Sequence, residues 1–173
     1  MAAVNSSIPT VDPLRRKSSL AELATKIALT KPGTWFYSRV AARIDSSLMR
    51  VSRGRLSSAV GLFPIVLLTA RGARSGIERT VPLVYFSDGG DVILMASSFG
   101  RPKYPAWYHN LKANPEVRLE AMGRTGSFMA EGTEGAERER LYGLAKHVYR
   151  GYGTYEERTE GIRPVPVLRL KPL

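Results

Sequence analysis

Six short apolar runs separated by turn formers decide what this chain can fold into. From Ile65 onward the sequence reads "IVLLTA" (65–70), "RTVPLVYF" (79–86), "VILMAS" (92–97), "EVRLEA" (116–121), "SFMAEG" (127–132) and "VPVLRL" (165–170). Runs this short, apolar or alternating and bounded by Gly, Pro, Asn or Asp, are strand grammar rather than helix grammar. "SDGGD" (87–91) supplies two glycines able to adopt positive φ, the chemistry of a tight hairpin, and "MGRTG" (122–126) turns the chain before the fifth run. Pro82 interrupts the second run and cannot donate to a ladder, so it belongs at an edge or a bulge. Between the fifth and sixth runs, Leu141, Leu144, Ala145, Val148 and Tyr149 recur at helical spacing and predict a helix over 134–149. Strands in mostly hairpin order with a helix after the fifth predict an α+β domain around an antiparallel sheet or small barrel, not a doubly wound sheet.

The N-terminal third reads differently. Residues 1–17 are rich in Ser, Pro and charge without periodicity and predict a mobile tail. Residues 18–60 predict two helices and a linker. Ser19 with Glu22 has the form of a capping box, followed by Leu20, Leu23, Ala24, Ile27 and Ala28 at helical spacing. A second stripe, Phe36, Val40, Ile44 and Leu48, runs beside Arg39, Arg43 and Arg50. Such a basic amphipathic helix either packs on its own domain with its arginines solvated or lies on an anionic membrane surface, and the pattern leaves both open. "VSRGRLSSAVGLFP" (51–64) is a linker, and residues 61–173 are the main domain.

Charge and cysteine content narrow the chemistry. The net charge is +11, and ten Lys/Arg face three acids up to Val60, so most of the excess is N-terminal and the field attracts anions. There is no cysteine, which excludes disulfides, thiolate metal sites and a thiol nucleophile and fits a reducing compartment. His109 and His147 have no ligand-spaced partner, so no metal site is expected. No apolar run approaches the roughly 18 residues of a membrane span, which predicts a cytoplasmic protein, with a peripheral place at the inner face of the membrane left open. The basic residues are not interleaved with an RNA-reading aromatic motif, so nucleic acid is not an expected partner.

Three stretches could carry chemistry. "TARGARSG" (69–76) gathers Gly72, Gly76, Arg71, Arg74 and Ser75 in one tight connection, where backbone N–H groups and guanidinium forks suit phosphate or carboxylate oxygens; a plain basic hairpin reads equally well. It has no Gly-Lys-Ser/Thr ending and is not a Walker loop. In "ASSFGRPKYPAWYHNL" (96–111), Ser97 and Ser98 end a strand, and Pro105 suits the first position of a short helix bounded by Asn114-Pro115. Trp107 and Leu111, four apart, share one face of it, and Tyr108 and Asn110 point elsewhere. "VYRGYGTYEERTEG" (148–161) spaces Tyr149, Tyr152 and Tyr155 by three, with Gly151 and Gly153 opposing a regular helix.

In this order, "PIVLLTARGARSGIERTVPLVYFSDGGDVI" and "ASSFGRPKYPAWYHNLKANPEVRLE" followed by three tyrosines resemble the deazaflavin-dependent nitroreductase family of actinobacteria and relatives. The resemblance implies a split β-barrel holding coenzyme F-420 in a groove. It assigns the coenzyme's phosphodiester and oligoglutamate tail to Arg71, Arg74, Ser75 and Gly76, with Arg79 and Pro82 on the following strand. It assigns the ring and linker to Met95, Ala96, Ser97, Ser98, Lys103, Pro105, Ala106, Trp107, Tyr108, His109 and Asn110. Tyr149, Tyr152 and Tyr155 would cover the substrate side, and Ser97 stands near the reacting ring; these four are the implied catalytic residues.

The implied reaction is hydride transfer from reduced deazaflavin to an electron-poor small molecule such as a quinone, an activated alkene or a nitroaromatic. Departures from the family pattern are Ala73 for a frequent Arg, Ser98 for a frequent Lys, and Phe99 for a frequent Gly. Val84 stands at a substrate-side Tyr position, with Tyr85 on the opposite face if the strand is regular. Two other readings share the fold: a carrier that binds deazaflavin or lipid without turnover, and an FMN-dependent reductase. The oligomeric state is not legible.

Overall fold

The computed structural model describes residues 8–15 and 63–173. The helices expected within 18–60 lie outside the described residues. Six strands form a closed antiparallel barrel: β1 (Ile65–Arg71), β2 (Glu78–Asp88), β3 (Asp91–Met95), β4 (Glu116–Ala121), β5 (Arg124–Gly132) and β6 (Val167–Pro172). They run around the barrel in the order β1, β2, β3, β6, β5, β4, with β4 closing on β1. Among the described residues three α-helices accompany them: α1 (Ala106–Ala113), α2 (Gly135–Val148) and α3 (Gly151–Thr159).

Period-two alternation divides the strands between two cores. Val66, Leu68, Ala70, Tyr85, Val92, Leu94, Val117, Leu119, Phe128, Leu168 and Leu170 fill the interior. Phe86, Ile93, Met95 and Val167 point outward and pack beneath Leu141, Tyr142, Ala145 and Val148 of α2 and Tyr152 and Tyr155 of α3. Helix α1 contributes Trp107 and Leu111 to the interior cluster, as their spacing predicts.

The β2–β3 hairpin follows its turn residues, whereas in "MGRTG" only Met122 and Gly123 turn the chain and residues 124–126 already pair with β4. Asp88 pairs with Asp91 across Gly89 and Gly90, whose φ values of 61° and 95° need glycine. Pro82 stands opposite Leu67 in unbroken register, on a stretch where β2 is covered by β1 alone: pairing with β3 begins only at Tyr85. It is an edge position and not a bulge. Residues 8–11, within the stretch expected to be a mobile tail, instead lie against β2. Ile8 is buried, Tyr85 Oη donates to Pro9 O at 2.9 Å, and Ser87 N and Val11 O pair at 2.9 Å.

Candidate active site

The β1–β2 connection folds on itself before it touches anything else. Gly72 N donates to Ile77 O and Gly76 N to Gly72 O, both at 2.9 Å. A Cβ at Gly72 would stand 2.7 Å from Ser75 Oγ, and Gly76 has φ of +67°, so both positions need glycine. Helix α1 ties the loop down from one side. Ala73 N donates to Asn110 Oδ1 at 3.0 Å and Asn114 Nδ2 to Arg71 O at 3.3 Å. Asn110 therefore braces the loop. Arg71, Arg74, Ser75 and Arg79 are exposed, and the three arginines make no ion pair among the described residues.

A second element forms where β3 ends. Ala96 is buried and its N donates to Pro166 O on the β6 side at 2.9 Å, whereas β2 continues along β1 to Glu78. The chain after Met95 thus parts from β2 and leaves β2's flank at Pro82 and Val84 without a strand neighbour among the described residues. It then makes a turn of three consecutive left-handed residues, Ser98, Phe99 and Gly100, with φ of 51°, 58° and 71°. Left-handed backbone at residues carrying a Cβ is costly and persists only where the surroundings impose it. Here α3 presses on the turn: a Cβ on Gly100 would meet Arg158 Cδ at 3.0 Å and Tyr155 Cα at 3.2 Å. The Phe99 and Tyr155 rings meet edge to face at 6.2 Å.

The three tyrosines do not behave alike. Tyr149 ends α2 in extended backbone, and the glycines expected to oppose a helix instead open a new one, α3. The reason is steric: a Cβ on Gly151 would stand 2.3 Å from Cε1 and 2.7 Å from Oη of Tyr149, so the ring lies directly over the helix start. Tyr149 and Tyr155 share a hydroxyl–hydroxyl hydrogen bond of 3.1 Å. Tyr152 is buried between them and α2, its ring edge-on to Tyr149 at 5.3 Å, and its carbonyl accepts from Tyr142 Oη at 2.9 Å. Burial raises the pKa of Tyr149 and Tyr155 above the ordinary phenol value, although their mutual hydrogen bond offsets part of this at Tyr149. Both stay protonated at neutral pH. Val84 joins this cluster, whereas Tyr85 faces the barrel interior, where burial pushes its phenol up to about 12.

Helix α1 separates its adjacent aromatics. Trp107 enters the barrel, and Tyr108 stays on the flank with Tyr104 at 5.1 Å and His109 at 5.9 Å. Pro105 precedes the helix in extended backbone, one position earlier than expected; Ala106 is the first helical residue and is exposed, as are Lys103 and His109. Met95 is buried beneath the helices. The structure thus brings Ser97, Ser98, Tyr149 and Tyr155 into one region and Arg71, Arg74, Ser75, Gly76 and Asn110 into a second.

Sequence reasoning missed Arg163. Its guanidinium is buried and donates to Ser97 O at 2.8 Å and to Arg101 O at 2.8 and 3.0 Å, with Tyr104's ring 4.6 Å away. Burial lowers its pKa, but a guanidinium remains charged in proteins. No local pattern marks it, because the Ser97 and Arg101 carbonyls it holds lie more than sixty positions away. Among the described residues no cluster of His, Asp or Glu could hold a metal ion.

A family model described as F-420H(2)-dependent quinone reductase matches residues 41–172. An F-420H(2)-dependent quinone reductase of Mycobacterium tuberculosis is 33% identical over 132 residues, covering 74% of this chain and 87% of that protein. Among solved structures, an F-420-H2 dependent reductase (FDR-A) is 39% identical with a TM-score of 0.58, covering 62% of this chain and 94% of its own. A structure described as a domain-swapped dimer is 33% identical with a TM-score of 0.59, covering 82% and 100%.

Proposed function

The chain belongs to the F-420H(2)-dependent quinone reductase family, and from that premise we propose how its own side chains serve the reduction of a quinone by reduced coenzyme F-420. The observation that carries the assignment is the pairing of an arginine loop that has no acidic partner among the described residues with a left-handed turn packed against α3, whose Tyr155 shares a hydroxyl hydrogen bond with Tyr149.

The residues fit this coenzyme. A polyanionic tail needs several cations that are not already neutralised, and Arg71, Arg74 and Arg79 meet that need around a loop whose glycines bring backbone close. A planar ring needs a wall without long side chains, and the partly exposed Ser97 and Ser98 provide one, with buried Ala96 behind them, where the chain leaves β2. Pro105, Ala106 and Tyr108 continue that wall at the start of α1, and Lys103 and His109 are exposed for the linker phosphate. Trp107 and Asn110 act from behind, one filling the barrel beneath the helix and the other bracing the arginine loop.

When bound, the reduced deazaflavin supplies a hydride, and quinone takes up that hydride and one proton to become quinol. The Tyr149 and Tyr155 phenols hold their protons and offer a hydrogen-bond donor to the quinone oxygen as it gains charge. Ser97 holds a hydroxyl at the strand end from which the ring wall begins. Tyr152, enclosed between α2 and the other two rings, keeps them in place. Packing donor and acceptor face to face in a dry site lowers the entropic barrier to transfer. Val84 in place of a phenol leaves the acceptor side apolar, which favours a quinone over a nitro compound.

The test is a titration of purified protein with coenzyme F-420 and with FMN, followed by reduced F-420 with menadione. Tight F-420 binding and loss of menadione in step with F-420 oxidation are expected. F-420 binding without oxidation would make the protein a carrier, and preference for FMN would overturn the cofactor assignment. No helix among the described residues is long and apolar enough to cross a membrane. The basic stretch within residues 18–60 is proposed to meet an anionic membrane that holds lipid quinone. Unchanged partitioning onto anionic liposomes after removal of residues 1–50 would refute this.

A further inference from the structure

We propose that Arg163 is the positioning residue that sets the left-handed turn at 98–100, and through it the wall against which the coenzyme ring is placed. The inference rests on the reading of that turn as part of the coenzyme site. Strand pairing ends at Met95, so the carbonyls that follow must find donors elsewhere. Within the turn Gly100 N donates to Ser97 O at 3.0 Å and Arg101 N to Ser98 O at 3.2 Å, and Arg163 adds side-chain donors from outside it: Nη2 donates to Ser97 O and Arg101 O, each at 2.8 Å, and Nε donates to Arg101 O at 3.0 Å. The two acceptors bracket the left-handed residues, so a single planar group fixes both ends of the turn. Nη1 also donates to Pro164 O at 3.2 Å, which anchors the guanidinium at the approach to β6.

The guanidinium is held from both sides. Tyr104's ring covers it with 4.6 Å between the guanidinium carbon and the ring centroid, and no carboxylate pairs with it among the described residues. A buried cation with only carbonyls and a ring for partners is an unusual expense for a purely structural purpose, since an apolar residue would fill the same volume. What an apolar residue cannot do is hold two carbonyls four residues apart in one plane. Meanwhile α3 presses on the same turn at Gly100, so the turn is clamped between α3 and Arg163.

The test uses the full-length protein. Oxidised coenzyme F-420 is titrated by fluorescence into wild type, Arg163→Lys, Gly100→Ala and the two combined, and amide exchange over 96–104 is measured without coenzyme. Arg163→Lys keeps the charge and loses the fork; it should raise Kd about tenfold, the loss expected when charge-assisted hydrogen bonds are removed. The KM for coenzyme should rise while kcat at saturation holds, and exchange should quicken in 97–101 only. Gly100→Ala disturbs the turn from α3, and the double variant should lose little more than the worse single variant. Arg163→Lys with wild-type Kd and exchange, or fully additive losses, would overturn the inference.

Should Arg163→Lys fail to fold, Tyr104→Leu loosens the guanidinium from its other side and must raise Kd as well; an unchanged Kd there also overturns it. Wild type that fails to bind F-420 removes the functional reading and this inference together. Wild type that binds beside an unaffected Arg163→Lys removes the inference alone.

Discussion

Alanine at Gly151 pits two effects of opposite sign against each other. Glycine to alanine in a helix ordinarily stabilises by up to about 1 kcal/mol, and by less at the first helical position that Gly151 occupies. Against this, the new Cβ falls 2.3 to 2.7 Å from the outer atoms of the Tyr149 ring. That ring is enclosed by Phe63 at 5.3 Å, Tyr152 at 5.3 Å and Tyr155 at 5.9 Å, so it cannot simply swing aside. Overpacking of this kind costs roughly 1–3 kcal/mol, and the 3.1 Å bond to Tyr155 would go with it. Overpacking should win, leaving Gly151→Ala about 1–2 kcal/mol less stable by urea unfolding.

Turnover of menadione by the same variant should fall at least as far as in Tyr149→Phe, because both remove the phenol pair. The decisive comparison is in a Tyr149→Ala background. With the ring gone the clash is gone, and adding Gly151→Ala should be neutral or slightly stabilising. If the second alanine costs the same in both backgrounds, the glycine serves the backbone and not the ring, and the steric argument fails.

Other expectations can be checked in parallel. Asp88 accepts from Arg140 at 2.7 and 3.0 Å and from Arg169 at 2.6 Å, which hold its carboxyl at about 2 against an ordinary 3.8. A depressed acid stabilises the fold above its unfolded pKa and loses that contribution as pH falls through the folded value. Wild type should therefore lose about 2 kcal/mol of this contribution between roughly pH 4 and pH 2. Asp88→Asn should be less stable at pH 7, with the gap closing in acid; a gap independent of pH would refute the assignment. Trp107→Ala should cost about 3–5 kcal/mol, because the indole fills the barrel, and weaker coenzyme binding should follow the lost stability. Weaker binding with unchanged unfolding would place the ring at the coenzyme instead. Arg74→Ala should weaken F-420 binding roughly tenfold at low salt and less at high salt. A deazaflavin without the oligoglutamate tail should be insensitive to it; equal losses for both ligands would remove Arg74 from the tail site.

What could be read from the chain was what repeats or sits close in sequence. The strand runs carried their own period and turns, Trp107 and Leu111 declared a shared face, and Val84 and Tyr85 fell on opposite faces as alternation requires. The sixth strand came out two residues late for a definable reason. Val165 is buried like a strand residue, but Pro166 has no N–H, and paired strand begins at Val167. Helix α3 was hidden because two glycines in nine residues read as breakers, and only the Tyr149 ring over Gly151 explains one of them. Ile8 was invisible because the few apolar residues of the N-terminal stretch recur with no period. Arg163 was invisible because everything it holds is brought to it by the closed barrel. The family resemblance implied what spacing could not, namely that the strand end at Ser97 and the three tyrosines serve one site, which remains a proposal.

The strand order has a consequence for how this protein is made. β6 is the last of the six barrel strands in chain order, yet it sits between β3 and β5 and pairs with both. During synthesis the first five strands can pair as β3-β2-β1-β4-β5, an open sheet with bare edges at β3 and β5 that waits for residues 167–172. A ribosome stalled, or a chain cut, before Val167 would leave two apolar-faced edges ready to pair with another copy. Closure has to wait until β6 is available to both edges, and the barrel depends on that six-residue strand.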